Sequence, residues 1–448
     1  MTTTKNNEHN KLNVPNKREQ NQTCLDPAER EGLRPKGNVP NLRFPEFQGE
    51  WEEHYLSDYL DFKNGLNPKP DKFGRGIKFI SVMDILNNTV ITNDCIRVSV
   101  DVSEEELHNF CVENGDMLFQ RSSETLEDVG RANVYMDDKP AVFGGFVIRG
   151  KKKAEYNPLF FRYLLASPFA RRKIIPMGAG AQHFNIGQEG LNRVKLHFAS
   201  LDEQKKIATF LSLLDERIAT QNKIIEDLKK LKSAIVEKVF CSPNQEYPMC
   251  RIEGFEQALS TYKMSDFSSR IATKNKDSKC SLVLTIAAQY GLVNQESFFN
   301  KSVASENLTG YYLLHKGEFA YNRSYSAGYD WGTVKRLDNY DQGVLSTLYI
   351  CFKINETIVD SDYLAYYFES TKWHRGLSDI AGEGARNHGL LNVSMADYFN
   401  TKHRFPVIEE QKAIAKILNA ITEKERKATL LGECYQKQKQ YLLCQMFT

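Results

Sequence analysis

The chain has 448 residues, of which 41% are hydrophobic and 26% charged, the make-up of an ordinary globular protein long enough for two or three domains. A formal net charge of +2 neither requires nor excludes nucleic acid, which needs a local basic surface rather than a basic whole. No apolar run approaches the roughly 18 residues of a membrane span.

Met1 to about Gln22 is polar, without the apolar core of a signal peptide, so the cytoplasm is the expected compartment. Residues 1–38 form a polar lead whose composition is that of a disordered segment. The nine cysteines are scattered without a C-x-x-C pair, and free thiols are expected rather than zinc ligands or disulfides.

A first mixed α/β segment is expected over 39–199. Lys78–Val82 and Ala141–Ile148 read as strands, and Pro158–Leu165 as a helix. The basic runs Arg149–Lys153 and Arg171–Lys173 read as solvated faces or strand-end loops. A long helix is expected within 200–245. Ser200-Leu201-Asp202-Glu203 has the form of a capping box. From there Ile207, Leu211, Leu214, Ile218, Gln221, Ile225, Leu228, Lys232, Ile235 and Val239 step by four and three as a coiled-coil seam, closed by Ser242-Pro243-Asn244.

The remainder repeats this plan, with a second mixed segment over 246–405 and a second helix over 406–448. Glu203-Gln204-Lys205-Lys206-Ile207-Ala208 returns 207 positions on as Glu410-Gln411-Lys412-Ala413-Ile414-Ala415. Gly115–Ser122 matches Gly317–Ser324, Val142–Ile148 matches Val344–Ile350, and Gly178–Ala181 pairs with Gly382–Ala385. The second seam is broken at Glu425, Gly432 and Lys439. Because the second half starts near the far end of the first helix, pairing of the two helices must be antiparallel. The predicted fold is α+β: two homologous mixed α/β domains separated by a long antiparallel two-helix coiled coil, with pseudo-twofold symmetry. Such a rod is roughly 55 Å long and spans on the order of 16 base pairs. A helix packed simply on its own domain is the competing reading.

No phosphate loop, zinc-protease helix or nucleophile elbow occurs in the sequence. Asn157-Pro158-Leu159-Phe160 comes near an amino-methyltransferase tetrapeptide but lacks its second proline, and reads as a helix start. Asp137-Asp138-Lys139 and Glu104-Glu105-Glu106 read as turn and helix-surface charges.

The arrangement resembles the specificity (S) subunit of Type I restriction-modification enzymes. The likeness rests on Val39-Pro40-Asn41-Leu42-Arg43-Phe44-Pro45-Glu46-Phe47 with Trp51-Glu52, a degraded copy from Tyr247-Pro248 to Phe255, the paired glycines, and the helix openings Leu201–Gln204 and Ile408–Gln411. It covers about Val39 to Thr448. Ala199 replaces the proline usual before the first helix, Pro406 keeps it in the second, and residues 1–37 exceed the pattern. The resemblance implies two target-recognition domains, each reading one half of a bipartite DNA site, with the helices setting the unread spacer. It implies a non-catalytic chain joined by two methyltransferase subunits and, for restriction, two motor-nuclease subunits. S-adenosylmethionine, ATP and magnesium would belong to those partners, with no cofactor in this chain. A stand-alone fused methyltransferase-nuclease and a two-headed scaffold without DNA binding are the alternatives.

Base reading needs Arg, Lys, Asn or Gln at groove edges, and phosphate contacts need Arg, Lys, Ser or backbone N–H groups. Two matched loops offer them: Arg121-Ser122 and Arg323-Ser324, and then Gln182, His183 and Asn185 against Arg386, Asn387 and His388. Arg121 and Arg323 recur and are expected to hold the DNA backbone rather than read bases. Gln182 and Arg386 differ, as readers of different half-sites should.

Overall fold

The computed structural model describes residues 38–301, 307–324, 328–380, 386–387, 390–391 and 393–448. Residues 1–37 of the polar lead therefore lie outside the described residues, as do Gly382–Ala385 of the expected glycine match. The described chain divides into two compact units. The first holds 38–222 with 430–448, and the second holds 223–429.

In the first unit a four-stranded antiparallel sheet runs in the order Leu60–Asn64, Val147–Lys152, Met117–Gln120, Ala132–Val134. Met117–Gln120 is buried along its whole length, as expected of a central strand covered on both faces. A second, three-stranded sheet combines Ser99–Val100, Phe73–Ile80 and Ala141–Phe143, the last pair parallel. The expected strand over Lys78–Val82 stops at Ile80. Ser81 instead opens a short helix, its N–H and hydroxyl both donating to Asp84 Oδ2 at 2.7 Å. The expected strand over Ala141–Ile148 is two strands, broken at Gly144-Gly145-Phe146. Pro158–Ala166 is a helix, capped by Asn157, whose side chain accepts from Phe160 N at 3.0 Å.

The second unit builds the same sheet from its own residues: Ser268–Arg270, Ile350–Ile354, Phe319–Asn322 and Thr333–Arg336, again antiparallel. The residues that match in sequence thus take the same place in both sheets. Ser361–Tyr367 supplies the helix matching Pro158–Ala166.

The two long helices are α1 (Leu201–Val239) and α2 (Ile408–Gln445). In the first unit Ile207, Leu211 and Leu214 of α1 share a core with Leu442 of α2, Met446, Phe447 and the domain residues Trp51, Phe160 and Phe161. In the second, Val236 of α1 and Ile414, Ala415 and Leu418 of α2 join Tyr363, Tyr367 and Phe405. The seam positions beside a domain are therefore domain core, whereas Ile225 and Leu228 are only half-buried. A helix pair alone covers one stripe of each helix; a domain face covers more.

The helix openings differ from the expected capping box. Ser200 Oγ accepts from Glu203 N at 3.4 Å, but the Glu203 carboxylate turns outward from the backbone. It takes Arg43 Nε and Nη2, both at 2.7 Å, and Trp51 Nε1 at 3.2 Å. Glu410 takes Arg251 Nε and Nη2 at 2.9 and 2.7 Å in the second unit. The carboxylate hydrogen bond raises the pKa of each arginine. The neighbouring glutamines reach back along the chain. Gln204 accepts from Asn157 N at 3.0 Å and donates to Ala199 O at 2.9 Å. Gln411 accepts from Asp360 N at 2.9 Å and donates to Pro406 O at 2.9 Å. Glu-Gln is thus a clamp: the acid holds the lead-in arginine and the amide holds the start of the preceding domain helix.

Candidate nucleic-acid interface

In the first unit the central strand ends at Gln120 and Arg121 opens a loop. Ser122–Ser123 then pairs antiparallel with Phe184–Asn185. Ala179 and Asn185 exchange N–H···O bonds at 2.9 Å, closing a tight loop over 180–184. Gly180 has φ +143°, and a Cβ there would lie 2.0 Å from His183 O, so this turn requires glycine. Gln182 and His183 stand exposed at its tip. Asn185, also exposed, donates to His183 O at 3.3 Å and accepts from the Ser122 hydroxyl. The structure thus brings Arg121, Ser122, Gln182, His183 and Asn185 into one loop pair.

Arg121 is anchored three ways. Its N–H donates to Phe146 O at 2.8 Å, its carbonyl accepts from Ile186 N at 2.9 Å, and Nη1 donates to Gly145 O at 3.2 Å.

The second unit repeats this at Arg323. Its carbonyl accepts from Leu391 N at 3.0 Å, Nη1 donates to Val393 O and Nη2 to Leu348 O, each at 3.2 Å. Ser324 is exposed and its N–H donates to Asn322 Oδ1 at 3.0 Å. Arg386–Asn387 pairs antiparallel with Leu390–Leu391, so the hairpin carrying them hangs from the Arg323 carbonyl through Leu391. His388 lies outside the described residues.

The basic runs divide on folding. Arg149 is buried, donating to Cys111 O with its guanidinium over the Phe143 ring, while Lys151 pairs with Glu113 at 2.8 Å. Arg171 donates to Glu127 O and Val129 O at 2.8 and 2.6 Å, and burial, reinforced by Arg131, pulls its pKa down to about 10. Arg172 and Lys173 remain exposed. Neither acidic run has catalytic geometry. Asp137 accepts from Asn93 N and Lys139 N at 2.9 and 3.0 Å in a turn, and Glu106 caps its own helix through Ser103 N at 2.9 Å.

Sequence reasoning passed over the turns at Gly145-Phe146 and Leu348, whose carbonyls take arginine hydrogen bonds. Their signal was present in the shared register of Val142–Ile148 and Val344–Ile350, which places Phe146 and Leu348 at matching positions.

Comparison with known proteins agrees with this architecture. Residues 48–230 match the family model of the Type I restriction modification DNA specificity domain. The chain is 23% identical over 408 residues to the type I restriction enzyme MjaX specificity subunit of Methanocaldococcus jannaschii, covering 86% of this chain and 90% of that one. It is 24% identical over 198 residues to the EcoKI specificity subunit of Escherichia coli, covering 42% and 41%. Its fold resembles the S subunit of a type I restriction-modification system from M. genitalium, with TM-score 0.52, 15% identity and coverage of 92% and 99%. A chain from a structure addressing assembly and conformational transition of the type I R-M system gives TM-score 0.51, 13% identity and coverage of 88% and 96%. Residues 48–230 thus carry the likeness to the Type I restriction modification DNA specificity domain, and over most of its length the chain is similar to specificity subunits of such systems.

Proposed function

We infer that this chain is the sequence-recognition subunit of a Type I restriction-modification complex, non-catalytic by itself, with each unit reading one half of a bipartite duplex site. The observation that carries this is the duplicated loop pair. In both units an arginine at the end of the central strand ties a serine loop to a separate hairpin loop. Gln182, His183, Asn185 and Ser122 are the base and phosphate contacts of the first unit; Ser324, Arg386, Asn387 and His388 serve the second on sequence grounds. Arg121 and Arg323 hold these loops in place.

The spacer is assigned to α1 and α2. In the first unit Asp215 of α1 meets Lys439 of α2, and Arg217 lies 5.8 Å from the Tyr435 ring, so the helices run antiparallel there. In the second unit Tyr366 joins them, with Lys232 of α1 5.0 Å over its ring and Asn419 and Thr422 of α2 on its hydroxyl at 2.8 and 3.0 Å. Two methyltransferase subunits would dock on this framework and bring S-adenosylmethionine, with motor-nuclease subunits bringing ATP and magnesium. No helix among the described residues is long and apolar enough to cross a membrane.

The test is a map of N6-methyladenine in cells with and without this chain, its partner subunits present. Loss of one bipartite motif is expected, and a map unchanged by deletion would defeat the proposal.

A further inference from the structure

Phe146 is 67% exposed although its carbonyl is held by Arg121 N at 2.8 Å. It sits in the turn between Ala141–Phe143 and Val147–Lys152, with Phe143 and Val147 fully buried on either side. Val147 N donates to Gly144 O at 2.8 Å, Arg121 Nη1 to Gly145 O, and Arg121 N to Phe146 O, so each carbonyl of the turn is occupied. A Cβ on Gly144 would meet the Phe79 ring at 2.7 Å, and one on Gly145 would meet Asn67 Oδ1 at 2.0 Å. Both glycines are thus closely approached by side chains, whereas the phenyl ring beside them stands two-thirds exposed.

The second unit places Leu348, 63% exposed, at the matching turn between Gln342–Leu345 and Ile350–Ile354. Its carbonyl accepts from Arg323 Nη2, and Tyr349 N closes the turn onto Ser346 O at 3.2 Å. One exposed apolar side chain carries no information. Two of them, each on a clamped turn bonded to the arginine that organises the candidate loops, do. Their identities also differ, as contacts to two different half-sites should.

We propose that Phe146 and Leu348 are specificity-determining residues, each making an apolar contact to a base edge in its own half-site, with the thymine 5-methyl group as the matching surface. The major groove offers that methyl as its one apolar base feature, and Phe is among the side chains suited to it. A rigid turn presents the side chain with little motion left to lose on binding. The inference rests on the DNA-recognition reading above.

The experiment uses the chain assembled with its methyltransferase subunits and duplexes carrying the mapped site. Phe146→Ala should lower specific affinity by roughly 5- to 150-fold, the range for losing one base-pair contact, with specificity relaxed in one half-site only. Leu348→Ala should relax the other. Non-specific affinity and the slope of log K against log salt should not change, because no phosphate contact is removed. Replacing thymines one at a time by uracil should weaken the wild type at one position per half-site, and the alanine variant should be indifferent there. Unchanged specificity, a loss spread over both half-sites, or a loss without coupling to uracil each overturns the proposal. If the wild-type complex itself does not prefer the mapped site, the recognition reading fails first and takes this inference with it.

Discussion

Lys439 of α2 is ion-paired with Asp215 of α1, and this pair explains one of the three residues that break the second seam. Asp215 is nearly buried and also receives Tyr163 Oη at 2.8 Å and Arg162 Nη1 at 3.3 Å. Burial lowers the Lys439 pKa, while Asp215 opposes that shift. Lys232 holds the matching position of the first seam and makes the same kind of contact, over the Tyr366 ring and paired with Glu369 at 3.0 Å. The repeat has put Thr422 where Asp215 stands, so only the first unit keeps a carboxylate there. Asp215→Ala should destabilise the first unit by about 3 kcal/mol, because it leaves two cations facing a poorly solvated site. The double variant Asp215→Leu, Lys439→Leu should recover most of that loss. Denaturant unfolding of both proteins checks it, and a double variant as unstable as the single one would refute the pairing argument.

The repeat itself was legible because its residues recur in type and order, and so were both long helices. The purpose of the repeated Glu-Gln was not. A Ser-x-x-Glu spacing satisfies the capping-box pattern, but Glu203 finds a stronger partner in Arg43, 160 positions away. Local spacing cannot show so distant a competitor. Lys439 was opaque for the same reason, since its partner lies on the other helix. Ala141–Ile148 read as one strand because Gly144-Gly145 is short; that Phe79 and Asn67 pack closely against these glycines is a tertiary fact. The candidate loops were singled out because both halves place similar chemistry after the central strand. The anchoring of Arg121 and Arg323 to protein carbonyls showed in the sequence only as the shared register of the two turns, which does not say what the carbonyls bind.

The Glu203 clamp predicts a local effect. Glu203 is 1% exposed, and Glu203→Ala would leave the Arg43 guanidinium with only the Gly49 and Gln48 carbonyls and would strand the Trp51 indole N–H. The expected loss is about 3 kcal/mol, with hydrogen exchange rising first across Asn38–Trp51, where Trp51 N is bonded to Asn38 O at 2.8 Å. Glu410→Ala should loosen the stretch around Arg251 in the same way. Exchange that rises uniformly over the unit would show that the clamp does not act locally.

His403 makes the second unit sensitive to acid. It is buried between Thr401 and Tyr367, at 2.8 and 3.1 Å. The Thr401 hydroxyl donates to Tyr398 O at 2.7 Å, so Nε2–H must donate to Thr401 and Nδ1 must accept from Tyr367. That is neutral imidazole, and burial lowers its pKa to about 3. Below the ordinary value near 6.5 the unfolded chain gains a proton that the folded unit refuses. The contribution is therefore complete above about pH 6.5 and declines as pH falls toward 3, reaching about 2 kcal/mol of lost stability at pH 5. In His403→Phe, which keeps a ring in place, this part of the pH dependence should vanish. Unfolding curves at pH 7 and pH 5 for both proteins measure it directly.

Arg323 separates a positioning role from a phosphate contact. Its guanidinium donates to Val393 O and Leu348 O, carbonyls on two different loops, and its own carbonyl holds Leu391. Arg323→Ala should therefore weaken binding to every DNA sequence, because both loops lose their common anchor. A phosphate contact would reduce the magnitude of the salt slope by about one when removed. A positioning residue leaves that slope unchanged while lowering affinity, and this second result is the one expected. Arg323→Lys should restore little, since a single ammonium cannot span two carbonyls as the planar fork does. Affinity measured across a salt series for the three proteins decides between the roles; a slope reduced by about one in Arg323→Ala would assign the guanidinium to DNA instead.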